Sequence, residues 1–308
     1  MSGLTVLMAV YNGERFLQPA VDSILRQTYS DFRFLVMDDA STDSTPELLR
    51  RVKDPRLEVV RLEKNVGQTA ALNLGLRRVS TAYIARMDAD DYSAPERLER
   101  QMSRLREETA LDCVGTHAWE FSDDPSVRMS IIRRPESYPE VRKAALHGAG
   151  VIHGTILIRR EALLEIGGYD ERYRYASDRD MFIRLLPKHR AVNLPQPLLG
   201  IRRHPGQDSF SKIAADEYID IFERLIMEDG YGEVEQPSVL RGNLAYSYLF
   251  RANYFRKNRR YGEWAADWLR AVRLSPKTCG RSMLGTAAKR LLPEQLLGSL
   301  RKGYLRPA

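Results

Sequence analysis

The chain has 308 residues, 43% hydrophobic and 29% charged, with a formal net charge of +7. That length suits one large α/β domain, or a domain of about 200 residues with a smaller one, and the composition excludes wholesale disorder. Cys113 and Cys279 are the only cysteines and lie far apart, which excludes a disulfide framework or clustered zinc site and leaves reduced, cytosolic thiols as the default. No apolar run approaches the roughly 18–20 residues of a membrane span. The first residues enter a strand-like run without a basic segment, unlike a signal peptide.

The first 110 residues alternate between strand and helix patterns. Leu4–Val10 is a short apolar run that reads as a buried strand. Phe16, Leu17, Ala20, Val21, Ile24 and Leu25 recur at helical spacing. Phe32–Met37 is a second strand ending at Asp38, and Pro46 opens a helix with Ser44 or Thr45 as its cap. Leu57–Leu62 is a third strand, Thr69–Val79 a helix, and Tyr83–Met87 a fourth strand ending at Asp88. Pro95 then opens a helix carrying Leu98, Met102 and Leu105. Strands alternating with helices predict an α/β fold with a doubly wound, mostly parallel sheet, in which ligands gather at the carboxyl ends of the strands. Polar residues collect at those four ends: Tyr11 and Asn12, Asp38 and Asp39, Asn65 to Gln68, and Asp88, Asp90 and Asp91.

Residues 111–210 are less regular, with strand-like pieces at Asp112–Ala118, Arg128–Arg133 and Thr155–Ile158 and a helix over Asp178–Leu186. From about residue 215 the pattern is helical, with Ile219, Phe222, Leu225 and Ile226 in one stripe, Leu244, Tyr248 and Phe255 in another, and Trp264, Trp268, Leu269 and Val272 in a third that reads as packing. Pro276 and Pro293 punctuate the tail. The division is therefore 1–214 for the catalytic part and 215–308 for a basic helical region. Residues 238–308 hold 15 basic and 3 acidic residues, a net of +12, against −5 for residues 1–237. A basic tail fits an anionic surface, either by peripheral contact with a membrane or, alternatively, as helices that pack on the catalytic part or join a homodimer. No nucleic-acid motif accompanies it.

Asp88-Ala89-Asp90-Asp91 is the sharpest chemical signal. Carboxylates separated by one residue at a strand end suit a hard divalent cation, Mg or Mn, whose shell is completed by phosphate and water. With the runs VYNGERFLQPAVDSILRQTY, DDASTDST, NVGQTAALNLGL, RMDADD and HGTILIRREALLEIGGYDERYRYASDRDMFIRL in that order over about residues 3–210, the chain resembles the inverting family 2 glycosyltransferases of GT-A fold, of the bacterial surface-glycan type.

The resemblance implies a nucleoside-diphosphate sugar donor, with a UDP-sugar expected, a divalent cation, inversion at the anomeric carbon, and a glycan or lipid-linked acceptor met at the cytoplasmic side of the membrane. Carried onto this chain, it places Tyr11, Asp39, Asn73 and Asp88 at the nucleotide, with Asn73 under the diphosphate, and Asp88, Asp90 and His204 at the metal. His153 falls on the acceptor side, and Asp178 stands where the family has its base. Ser177 replaces the family's Glu before that Asp and could cap the helix instead. Asp180 is the rival base, or a partner of Arg184. Arg202 and Arg203 beside His204 point to an anionic ligand there. Two other readings remain at this stage: a nucleotidyltransferase, for which YNGER lacks a Gly-rich basic phosphate loop, and a silent sugar-nucleotide-binding module.

Overall fold

The computed structural model describes residues 3–204, 212–227 and 237–279. Its first strand, β1 (Leu4–Val10), is buried along its whole length. Leu4, Val6, Met8 and Val10 belong to one apolar layer, and Leu7 and Ala9 to the other. A strand apolar on both faces must be covered on both. β1 pairs in parallel with β2 (Phe32–Asp38) and β4 (Tyr83–Asp88), and β3 (Leu57–Arg61) lies parallel beyond β2.

The connecting helices α1 (Leu17–Leu25), α2 (Thr45–Arg51), α3 (Gln68–Arg78) and α4 (Arg97–Glu107) cover this sheet. Leu17, Ala20, Val21 and Ile24 of α1 pack in one layer with Leu98, Met102 and Leu105 of α4. Ala71, Leu72 and Leu76 of α3 pack in the other. Helix α3 approaches the sheet through Gly75, where a Cβ would stand 2.5 Å from Leu7 Cδ1.

After β4 come β5 (Tyr92–Ser93), β6 (Cys113–Phe121), β7 (Ser130–Ile132), α5 (Tyr138–Ala145), a 3-10 turn (His153–Thr155), β8 (Leu157–Arg159), α6 (Arg160–Glu165), α7 (Ser177–Leu185) and β9 (Ala191–Arg202). Among the described residues the strands form one sheet in the order β3-β2-β1-β4-β8-β6-β9-β5, with β7 also on β6. The long pairings are parallel; the short ones, β4–β8, β6–β8, β6–β7 and β5–β9, are antiparallel. The chain adds β2 and β3 on one side of β1 and β4 on the other, so the strand order reverses at β1 and β4, where an open α/β sheet forms its ligand crevice.

Twelve-residue β9 went unread in the sequence because Pro195 and Pro197 interrupt it. Proline offers no N–H to a ladder and is tolerated at bulges. The β6–β9 register shifts twice between Thr116 and Ala118, opposite those prolines.

The chain divides into two compact units, Met1–Ser209 and Phe210–Ala308, a boundary slightly before the 214/215 division read from the sequence. Helices α8 (Lys212–Met227), α9 (Pro237–Lys257) and α10 (Tyr261–Leu274) belong to the second. Arg251 of α9 bonds Asp267 of α10 through Nε (2.7 Å) and Nη2 (2.8 Å), and Asp216 of α8 through Nη1 (2.6 Å), fixing the register of all three helices. The tryptophan stripe is a correction: the buried residues of α10 are Asp267 and Ala271, Trp264 and Trp268 are half-buried, and Leu269 is exposed. Among the described residues no helix is long and apolar enough to cross a membrane. Pro293 and the basic residues beyond 279 lie outside the described residues.

Candidate active site

A cavity of about 570 Å³ opens at the carboxyl ends of β1 and β4, where the strand order reverses. Tyr11, Asp39, Asp88, Asp90 and His204, all expected at the donor, line it, with Gln68 and Phe16. Tyr11 is half exposed on its rim, and its ring offers a stacking face to a nucleobase.

The loops after β1 and β2 are fastened to each other by side chain–backbone bonds. Asn12 accepts from Thr42 N (2.8 Å), Thr45 Oγ1 from Gly13 N (2.8 Å), Asp43 from Glu14 N (3.0 Å) and Glu14 from Ser44 N (3.0 Å). The start of α2 is served by Asp43, which accepts from Thr45 N (2.9 Å); neither Ser44 nor Thr45 makes the capping bond expected of it. Asn12 and Ala40 adopt positive φ (51° and 60°) at these turns, which Asn tolerates better than other side-chain-bearing residues.

Asp39 accepts from Val66 N (2.7 Å) and Gly67 N (2.8 Å), one bond on each carboxylate oxygen. Gly67 has φ +87°, a conformation suited to glycine. Each oxygen of Asp39 keeps a second lone pair for a base N–H, so shaping the loop leaves nucleotide recognition open to it.

The three carboxylates of Asp88–Asp91 divide by partner. Asp88 forms an ion pair with Arg86 and accepts from Gln68 Nε2 (3.2 Å). Asp90 Oδ2 stands 3.3 Å from His204 Nε2. Asp91 is buried and accepts from Arg202 N (3.1 Å); burial and the neighbouring Asp90 push its carboxyl up to about 7. Among the described residues no three His, Cys, Asp or Glu side chains cluster as a metal cage. One carboxylate and one imidazole beside an open cavity fit instead a cation that takes the rest of its shell from diphosphate and water. Asp88, also assigned to the metal from sequence, is occupied by Arg86 and Gln68.

The base side lies around the N-terminus of α7. Asp178 is its second residue, partly buried, and accepts from Arg179 N (2.7 Å). Burial raises its carboxyl pKa, against the pull of the Arg179 backbone bond and the Arg179 and Arg86 charges. Ser177 is the first helical residue and makes no capping bond. Asp180 is wholly buried and pairs with Arg184 (2.6 Å), whose guanidinium also bonds Gly168 O (3.0 Å). Through Arg184, Asp180 ties α7 to the turn at Ile166–Gly168.

Arg86 joins the two sides. It is 3% exposed, and its charge, disfavoured by burial, is supported by Tyr169, Asp91, Asp178 and Asp90. His153 Nε2 shares a 2.7 Å hydrogen bond with Tyr169 Oη, and burial with the Arg86 charge holds the imidazole well below its usual pKa, hence neutral. Beneath them the fully buried Arg97 donates to Gly154 O and Arg86 O (3.0 Å each), and burial lowers its pKa to about 10. Gly154 lets the backbone come close: a Cβ there would meet Asp91 at 3.3 Å and Asp88 at 3.4 Å.

Residues 5–167, more than half of the chain, match Glycosyl transferase family 2. The putative glycosyltransferase EpsE of Bacillus subtilis is 33% identical over 223 residues, covering 70% of this chain and 78% of its own. The chain belongs to glycosyl transferase family 2. The amylovoran biosynthesis glycosyltransferase AmsE of Erwinia amylovora, 30% identical, covers 70% of this chain and 81% of its own. Two solved structures are similar in fold. TarS residues 1–349 of S. aureus, in complex with UDP-GlcNAc, gives a TM-score of 0.68 at 17% identity, over 90% of this chain and 82% of that one. The mannosyltransferase PcManGT of Pyrobaculum calidifontis, in complex with GDP-Man and Mn2+, gives 0.62 at 21%, over 95% and 81%. The fold is GT-A, and the family 2 protein is a glycosyltransferase.

Within this family 2 site one assigned residue lies outside the cavity lining. Asn73 does not line the cavity; its amide donates to Tyr169 O (2.8 Å) and Glu171 (2.9 Å) and accepts from Tyr169 N (3.0 Å), clamping the segment that presents Tyr169. His153 lies beside Tyr169 and Arg86, outside the cavity lining. Arg202 and Arg203 are engaged with the protein's own groups. Arg202 is buried, donates to the carbonyls of Asp90 (2.9 Å), Ser122 (2.8 Å) and Asp123 (3.0 Å), and lies over the Phe16 ring; Arg203 bonds Glu120 (2.6 Å). Arg86, Arg97 and Tyr169 escaped the sequence reading. Arg86 alone left a signal, a charge two residues before Asp88 inside an otherwise apolar strand.

Proposed function

We propose that the protein is an inverting glycosyltransferase that moves a sugar from a nucleoside-diphosphate sugar, a UDP-sugar first among them, to a hydroxyl of a glycan or lipid-linked acceptor. The observation that carries this reading is the pairing of a donor cavity holding Asp90 and His204 with a carboxylate of raised basicity, Asp178, connected through buried Arg86. Tyr11 stacks on the base and Asp39 accepts its N–H. Asp178 takes the proton of the acceptor hydroxyl as its oxygen bonds the anomeric carbon and the carbon–oxygen bond to the diphosphate breaks. Asp90 and His204 would hold Mg or Mn, which when bound supplies Lewis-acid stabilisation of the departing diphosphate. His153 and Tyr169 form a neutral floor on the acceptor side.

The names of AmsE and of the O-antigen biosynthesis glycosyltransferase WbnJ of Escherichia coli support a surface polysaccharide as the product. The exposed Arg256, Lys257 and Arg259 support peripheral contact of the second unit with the cytoplasmic face of an anionic membrane.

A thermal-shift panel of UDP-, GDP- and dTDP-sugars with and without Mn2+ tests the donor reading, because a ligand selective for the native state raises apparent stability. Stabilisation by one nucleotide class, larger with Mn2+, is expected; no shift with any sugar nucleotide contradicts it.

A further inference from the structure

The hairpin of β6 and β7 carries an apolar stripe that the catalytic reading does not use. Ser130–Ile132 pairs with Ala118–Glu120 of β6 and no other strand among the described residues. Ile132 packs against the core, whereas Val127, Met129 and Ile131 are 62%, 59% and 42% exposed. Residues alternate sides along a strand, so Met129 and Ile131 lie on the face opposite Ile132, where Ile131 stands beside its cross-strand partner Trp119 and stays exposed. Large aliphatic side chains concentrated at alternate positions mark an interaction surface.

The charges around the stripe select the partner. Exposed Arg128, whose guanidinium lies 4.7 Å over the Trp119 ring, and exposed Arg133 bracket it. Among the described residues neither has a carboxylate partner. Three acids of the hairpin are engaged elsewhere: Glu120 with Ser130 and Arg203, Asp124 with Ser126 N (2.8 Å), and Asp123 with the charge of Arg202. A second copy fits poorly. Antiparallel edge pairing centred on this strand sets Arg128 opposite Arg133 or Arg134, and like charges directly opposite are destabilising.

The hairpin is also tied to the donor rim. Phe121 at the end of β6 is in register with Arg202, whose guanidinium grips the carbonyls of Ser122, Asp123 and Asp90. Whatever the hairpin docks on is therefore held beside the Asp90 loop.

We propose that the 127–133 segment is a membrane-docking element: Val127, Met129 and Ile131 enter the apolar boundary of an anionic lipid leaflet while Arg128 and Arg133 meet its phosphates. Basic residues alone attach a protein weakly and reversibly, and apolar insertion supplies the second signal that lasting attachment needs. The inference deepens the membrane-contact part of the proposed function by naming a second attachment surface on the first unit, and it needs neither donor nor acceptor.

Co-sedimentation of the full chain with phosphatidylcholine vesicles, alone or mixed with phosphatidylglycerol, tests it. The protein is expected to bind the mixed vesicles. Met129→Ser with Ile131→Ser lowers that partitioning about tenfold or more, and Arg128→Gln with Arg133→Gln weakens binding to the mixed vesicles while leaving the anionic preference that the intact basic tail supplies. A fluorophore on Met129→Cys shifts to the blue on mixed vesicles. Failure of the unaltered protein to bind, binding indifferent to the Met129 and Ile131 changes, or no spectral shift at position 129 overturns the proposal. A dimer abolished by the same changes overturns it too and assigns the stripe to self-association. Each of these results leaves glycosyl transfer standing, since transfer to a soluble acceptor is measured separately.

Discussion

On the cavity rim, polar side chains of the loops after β1 and β2 accept backbone N–H groups of neighbouring loops: Asn12 from Thr42, Thr45 from Gly13, Asp43 from Glu14, and Asp39 from Val66 and Gly67 after β3. Around Arg86 the organisation is the reverse. Charged side chains from β4, the loop that follows it and α7 face each other in a desolvated pocket. The first arrangement builds a rigid cradle whose carboxylates keep their ordinary acceptor role. The second places a carboxyl, Asp178, where burial makes it a better proton acceptor and a buried cation keeps it ionisable. Rigid recognition and adjustable basicity thus come from the same residue types, separated by whether backbone or charge satisfies them.

The contrast can be broken from the donor side first. Asp90→Asn removes the carboxylate that faces His204 and the cavity; turnover is expected to fall by about 10³-fold or more, with the metal dependence of donor binding lost and the melting temperature little changed. Normal transfer by this variant in Mn2+ would remove Asp90 from the site.

Arg86→Lys sharpens the contrast by loosening the cation without deleting it, and Arg86→Met deletes it. The carboxyl of Asp178 is faced by Arg86 from β4, by Tyr169 and by Arg179 on its own helix. Losing one cation raises its pKa further. Activity requires the carboxylate, so the acid limb of the kcat–pH profile moves to higher pH in Arg86→Met and less in Arg86→Lys. Superimposable acid limbs would mean that Arg86 has only a packing role.

The smallest effect is expected at Asn73. Asn73→Ala strands the backbone N–H and C=O of Tyr169, costing about 1–3 kcal/mol of stability, read as a lower denaturation midpoint. Donor KM should not change, because Asn73 contacts Tyr169 and Glu171 and does not line the cavity. A raised donor KM at unchanged stability would return Asn73 to the diphosphate.

The four parallel strands were legible because each is a short apolar run ended by polar residues, and the cavity rim because Tyr11, Asp39, Asp88 and Asp90 lie directly after them. Strand β9 was hidden by Pro195 and Pro197, whose bulge is defined only by its partner β6. The clamp of Asn73 on Tyr169 was not legible because a helical Asn gives no sign in sequence of which loop it meets, and that loop lies 96 residues away. Arg97 and Tyr169 were invisible for the same reason: their importance arises from burial against segments distant in the chain.

The central claim is that Asp178, not Asp180, takes the acceptor proton. Transfer and donor binding measured side by side for Asp178→Asn and Asp180→Asn test it directly. The account predicts that Asp178→Asn loses about 10²–10⁴-fold in turnover with donor affinity retained and the fold intact, while Asp180→Asn, which breaks the buried pair with Arg184, loses stability and keeps turnover in whatever fraction stays folded. A folded Asp178→Asn enzyme that transfers sugar at the normal rate would contradict it.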